Sequence, residues 1–121
     1  MLYSVDAQAP VTRLPHVKEF NAWQSKISDT EFQAVVGRLN DLIDGDEVHT
    51  AGWMPGSDWT GTVFEPLYHA CGQNVEASGL FFGLIVFHVM MERDDWWGFG
   101  RYEKDGLPIR SMTYFRLKRQ P

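Results

Sequence analysis

Two glutamate–histidine pairs come closest to acid–base or metal chemistry in this sequence. Glu65 and His69 are four positions apart, as are His88 and Glu92, so each pair can share one face of a helix. Two histidines and two carboxylates form a ligand set that divalent metals accept. The apolar pattern, however, puts Glu65 and His69 on a polar flank, as expected for a solvated ion pair, whereas His88 lies in an apolar helix and needs a partner such as Glu92. We therefore predict neither a metal site nor a cofactor.

Cys71 is the one cysteine of the chain, which excludes an intrachain disulfide and a zinc site built from several cysteines. It falls near the C-terminal end of a short predicted helix, where the helix dipole disfavours a thiolate. We expect a buried structural thiol, and we assign no catalytic residue. A lone reduced thiol also favours a cytoplasmic location.

The segment 49–62 is a predicted loop that carries two tryptophans, Trp53 and Trp59, beside Asp58. It lacks the glycine and lysine pattern of a phosphate-binding loop, and Asp58 would repel an anion. Two large rings on a loop either cover the core or line a ligand groove, and a carboxylate beside them would suit a sugar or a cation. Both interpretations stay open.

A β-hairpin is predicted over 96–117, with its turn at Lys104-Asp-Gly106, and the sequence leaves its register open. If Glu103 lies opposite Leu107, two faces follow. This register places an apolar set on the face toward the helices: Trp97, Phe99, Arg101, Ile109, Thr113, Phe115 and Leu117. The outer face then presents Trp96, Tyr102, Arg110, Met112, Tyr114 and Arg116. A shift of one residue would exchange the two faces.

The formal net charge of −5 is unevenly distributed along the chain. Residues 1–97 contain 14 acidic and 5 basic residues, whereas residues 98–121 contain 2 acidic and 6 basic residues. The basic end is either the solvated face of a last strand or a local anion site. An acidic chain is a poor match for nucleic acid, whose binding depends on positive charge.

The helices that must position these residues have clear sequence signals. Pro15 can open a first helix, Ser28 and Glu31 form a capping box before a helix that Gly45 ends, and Thr62 to Glu65 has the same box pattern. Asn74 can cap a helix over about 75–93 that is apolar nearly all the way round. The apolar run at 80–91 is shorter than the roughly 20 residues that a membrane span needs, so we expect a buried core helix and no membrane contact.

The chain is therefore predicted to be one α+β domain over 1–121, with three to four helices. A buried central helix (about 75–93) packs on a C-terminal antiparallel β-hairpin or small sheet. Gly79 and Gly83 lie one turn apart on that helix and would allow another backbone to approach closely, as in self-association.

Five tryptophans, eight phenylalanines and four tyrosines exceed what the central helix needs. Because interfaces favour Trp, Tyr, Met and Arg, the leading hypothesis is a non-enzymatic protein-interaction or accessory binding module that contacts a protein partner or a second copy. The alternative is a small-molecule-binding protein or enzyme with a groove between loop 49–62 and the hairpin, and a nucleic-acid-contacting factor ranks last. The predicted binding residues are Trp53, Asp58, Trp59, His69, Trp96, Arg101, Tyr102, Arg110, Tyr114 and Arg116.

Overall fold

The computed structural model describes residues 1–46, 48–50, 59–100, 103–104, 107–108 and 112–121. Within them, the helices are α1 (Val17–Gln24), α2 (Asp29–Gly45), α3 (Glu65–Ala70) and α4 (Val75–Glu92). The strands are β1 (Leu2–Ser4), β2 (Ala9–Pro10), β3 (Val48–Thr50), β4 (Trp97–Gly100), β5 (Glu103–Lys104), β6 (Leu107–Pro108) and β7 (Thr113–Arg116). This confirms the predicted α+β class.

The main sheet is mixed, and its strand order is β2-β1-β4-β7-β3. β1 lies parallel to β4, whereas the other neighbours in this sheet are antiparallel. β5 and β6 form a separate antiparallel pair. The Met1 amino group fixes the start of β1 against the end of α4, because it donates to the carbonyls of Met90 (3.0 Å), Asp95 (2.9 Å) and Arg93.

One of the two predicted capping boxes forms. The Ser28 hydroxyl accepts from the Glu31 N–H at 3.0 Å, and the Glu31 carboxylate accepts from the Ser28 N–H at 2.9 Å, so α2 begins as predicted. The prediction of a capping box at Thr62 and Glu65 was wrong. The Thr62 hydroxyl accepts from the Phe64 N–H, and the Glu65 carboxylate accepts from the Gly61 N–H. Thr62 thus reaches one residue short and Glu65 one residue too far. The two backbone N–H groups that the box needs are taken by a turn before α3, because the Thr62 N–H donates to the Trp59 carbonyl and the Glu65 N–H donates to the Thr62 carbonyl.

α4 is the central core helix that the sequence predicted. The Asn74 side chain accepts from the Ala77 N–H at 2.9 Å and caps it, and half of its residues are buried. Phe82 packs on Phe64 near α3, and Phe87 packs on Phe99 of the sheet. By length and composition α4 is also the one helix in the described part that could cross a bilayer, a test that a buried core helix passes equally.

The hairpin does not have the register with Glu103 opposite Leu107, so the face assignments that depended on it are wrong. Lys104, not Glu103, lies opposite Leu107, and Trp97 lies opposite Arg116. Directly opposed residues share a face of an antiparallel pair, so Tyr114 and Arg116 lie on the same face as Phe99 and Trp97. Tyr114 is therefore buried, whereas Phe115, predicted to face the helices, lies on the other face with Gly98. A turn signal fixes where a hairpin bends but leaves room for a shift in pairing.

Gly98 lies where β4 passes close to the ring of Phe115. A Cβ at Gly98 would lie 2.5 Å from Cε2 and 2.7 Å from Cζ of that ring, whereas a Cβ at Gly100 meets no atom within 4 Å. We expect Gly98→Ala to lower the free energy of unfolding by about 1 kcal/mol relative to Gly100→Ala, because the half-buried ring of Phe115 must turn aside. Urea unfolding beside Gly100→Ala, which carries the same chemical change in the same strand, checks this. Equal losses for the two variants would contradict the predicted crowding.

Candidate functional site

Half of the binding residues predicted from the sequence lie outside the described residues: Trp53, Asp58, Arg101, Tyr102 and Arg110. The predicted groove between loop 49–62 and the hairpin depends on these residues. The position of the others is known.

Trp59 is half-buried, and its ring packs on Phe64 at 6.1 Å and on Phe82 at 5.7 Å between centroids. These contacts favour the interpretation of Trp59 as a cover for the core. Tyr114, at 1% exposure, has no free surface to offer a partner, and burial raises the pKa of its hydroxyl well above the ordinary value. Trp96 is half-buried, and its carbonyl accepts from the Leu117 N–H at 3.0 Å.

His69 and Glu65 form the solvent-exposed pair that the sequence predicted, with 3.8 Å between Nε2 and Oε1. They line a groove of about 450 Å³ together with Lys26 and Glu31. The Glu31 carboxylate is already engaged in the α2 capping box. This leaves the groove with few free polar groups to hold a ligand.

A larger groove, about 560 Å³, lies between α2 and the C-terminal half of α4, and we call it the α2–α4 groove. The side chains that α2 contributes include Phe32, Val36, Asn40 and Asp44, which recur every four residues and therefore form one stripe along the helix. The remaining lining residues are Gln33, His88, Val89, Glu92, Arg93, Asp94 and Asp95. Its floor is thus apolar toward one end, and its other end is charged.

At the apolar end, His88 packs between two aromatic rings. Its ring centroid lies 5.7 Å from that of Phe20 and 6.1 Å from that of Phe32. The predicted partner Glu92 forms no hydrogen bond with it among the described residues, and the Glu92 side chain is exposed. The imidazole is half-buried and is one of the groups that line the groove.

At the charged end, Arg93 joins α2 to the segment after α4. Its guanidinium donates to Asn40 Oδ1 at 2.8 Å, to Asp44 Oδ1 at 2.5 Å, and to both oxygens of Asp95 at 2.9 and 3.0 Å. The hydrogen bond to Asp95 is the largest cause that raises the pKa of Arg93. Arg93 is thus held in place by several acceptors and is not free to bind a ligand.

Asp95 is the centre of this network. It also accepts from Arg116 Nη1 at 2.6 Å, and the guanidinium of Arg116 lies 4.7 Å over the ring of Trp97. The Arg93 hydrogen bond, above all, holds the pKa of Asp95 far below its usual range, although burial acts in the opposite direction. The buried indole N–H of Trp97 also lowers the pKa of Asp95. This N–H group is nevertheless too far from normal hydrogen-bond geometry to count as bonded.

The groove keeps an excess of negative charge at its rim. Glu92 and Asp94 are exposed, and the side chain of Asp44 is 64% exposed although it contacts Arg93. An apolar floor beside exposed carboxylates suits a ligand that combines aliphatic and positively charged groups. Within the described residues no three His, Cys, Asp or Glu side chains are close enough to hold a metal ion.

The groove was not predicted from the sequence, although part of the residue pattern that forms it is present there. The run Arg93-Asp94-Asp95 follows directly after an apolar helix, and Asn40 and Asp44 continue the apolar stripe of α2 as polar residues. The Arg116 side chain was predicted to be an outer-face binding group. It instead donates a hydrogen bond to Asp95 and packs over the ring of Trp97.

Cys71 is buried, as predicted, and burial raises the pKa of its thiol. A raised pKa disfavours the thiolate that nucleophilic chemistry requires. The described part of the chain thus offers no activated cysteine.

No family model, no curated protein and no solved structure matches this chain. The geometry of the α2–α4 groove is therefore the main indication of function.

Proposed function

We propose that the protein is a non-enzymatic protein-interaction module, and that its α2–α4 groove holds a basic segment of a partner protein. The observation that carries this proposal is a groove of about 560 Å³ with an apolar floor and a carboxylate rim. Such a surface is complementary to lysine and arginine side chains, which combine an aliphatic stem with a positive head.

The shape of the groove favours an elongated partner segment. Two helices form its walls, and apolar groups such as Val36 and Val89 lie between them. A groove between helices can bury the apolar side of a bound segment, which supplies most of the free energy of association.

The negative charge of the groove favours a positively charged partner segment. Arg93 is occupied by Asn40, Asp44 and Asp95, and the Met1 ammonium offsets part of the negative charge of Glu92 and Asp94, so that a net negative charge is left at the rim. The chain as a whole carries a net charge of −5, which adds long-range attraction for a basic partner.

The proposed class of function is the one predicted from the sequence, but the proposed binding surface is a different one. The aromatic and arginine surface loses Tyr114 to the core and Arg116 to the Asp95 network. The small-molecule groove near loop 49–62 remains an alternative, but no contact among the described residues favours it.

Fluorescence anisotropy tests the proposal with a labelled eight-residue peptide of alternating arginine and leucine. We expect Glu92→Gln/Asp94→Asn to raise its Kd by about three- to tenfold, because two favourable rim charges are lost. The matched control is Asp41→Asn/Glu76→Gln, which removes the same charge at exposed positions outside the groove and should leave the Kd unchanged.

A peptide of alternating glutamate and leucine serves as the second control, and we expect no binding to it. Equal affinity for the two peptides, or equal losses in the two double variants, would refute a charge-selective groove.

A further inference from the structure

We infer that the basic segment at Lys118 and Arg119 of a second copy occupies the acidic end of the α2–α4 groove, so that the protein forms a two-fold symmetric dimer held by charge. This inference rests on the proposed function and names the partner.

The basic segment leaves the sheet next to the acidic end of the groove. Arg116 is bonded to Asp95, a groove residue, and the Leu117 N–H is bonded to the Trp96 carbonyl. Lys118 and Arg119 follow directly and are exposed. Neither of them lies within 4.0 Å of a carboxylate oxygen of the described residues.

Two adjacent patches of opposite charge are self-complementary under a two-fold rotation. In a symmetric dimer, the same patch of each copy must fit its own image. A rotation axis between the two patches would place Lys118 and Arg119 of each copy against the rim carboxylates of Glu92 and Asp94 of the other. A single two-fold rotation thus pairs the basic patch of each copy with the acidic patch of the other.

The uneven charge of the chain fits the same arrangement. The excess of acidic residues lies in 1–97 and the excess of basic residues lies in 98–121. Because Arg116 is held by Asp95 and by the ring of Trp97, it anchors the start of the basic segment. Lys118 and Arg119 are exposed and directly follow the fixed Arg116, so they are well placed to contact a neighbouring molecule.

Sedimentation equilibrium of the full chain tests the inference at about 50 mM and about 500 mM salt. We expect a dimer whose dissociation constant rises at least about tenfold at the higher salt, because its charge pairs are exposed and become screened. Lys118→Glu/Arg119→Glu should be monomeric, and so should Glu92→Lys/Asp94→Lys. An equimolar mixture of these two variants should form a heterodimer, since every contact then joins opposite charges again.

The mixture also separates lost association from lost folding, because unfolded variants cannot restore a dimer. The matched control Arg13→Glu/Lys18→Glu reverses two exposed cations elsewhere and should leave the dimer intact. A protein that stays monomeric, a salt-independent dimer, or a mixture that fails to associate would overturn the inference. If the arginine–leucine peptide still binds the groove in any of these cases, the proposed function survives and a different basic protein is its partner.

Discussion

Replacing Phe81 by alanine is expected to lower the free energy of unfolding by about 3–5 kcal/mol. Phe81 is fully buried in α4, where its ring contacts Phe20 edge-on at 5.9 Å and Trp23 at 5.6 Å. Alanine would remove these contacts and leave a cavity where α1 meets α4. Since a domain of this size is stable by only about 5–15 kcal/mol, urea unfolding should show a large loss.

The neighbouring residue provides a matched control for this prediction. Leu80 is 42% exposed in the same turn of α4, so Leu80→Ala should lower the free energy of unfolding by less than about 1 kcal/mol. A loss at Leu80 as large as that at Phe81 would show that the buried face of α4 is assigned incorrectly.

Asp95→Asn is expected to lower the free energy of unfolding by about 2–3 kcal/mol at neutral pH. The Asp95 carboxylate accepts charge-assisted hydrogen bonds from Arg93 and Arg116, so an amide would leave two partly buried guanidinium groups without that counter-charge. Asp41→Asn, which changes an exposed carboxylate on α2, should change stability by less than about 0.5 kcal/mol.

The same substitution should change how stability depends on pH. The folded protein lowers the pKa of Asp95 below its unfolded value, chiefly through the Arg93 hydrogen bond, so the unfolded chain binds this proton first. The stabilisation from Asp95 is complete above about pH 4 and is lost as the pH falls below that value toward the folded pKa. Unfolding curves at several acidic pH values should therefore show a shallower decline for Asp95→Asn. Parallel declines in both proteins would contradict this role of Asp95.

The helices could be predicted from the sequence because their signals are local. Ser28 and Glu31 begin α2, Gly45 ends it, and Asn74 begins α4, and each of these features depends on backbone groups within a few residues. The Thr62 box failed because a preceding turn competed for the same backbone groups, and no pattern within that box reveals this turn.

The sheet and the groove could not be predicted to the same degree because they depend on distant residues. The pairing of Trp97 with Arg116 differs by three positions from the one extrapolated from the turn, and this reversed the faces of Tyr114 and Phe115. The α2–α4 groove exists because Asn40 and Asp44 meet Arg93 across two helices. Single-sequence periodicity gives each helix a buried face but does not say which helices pack together.

The position of β1 inside the sheet has a consequence for the order of folding. Leu2 pairs with Trp97, so residues 3–96 separate two strands that are neighbours in the sheet. Closing so long a loop is entropically costly, and folds rich in such distant pairings form slowly. During synthesis, residues 2–4 have no strand partner in β4 until residues 97–100 have been made. The helices can collapse earlier, and joining β1 to β4 is then a late step that completes the sheet.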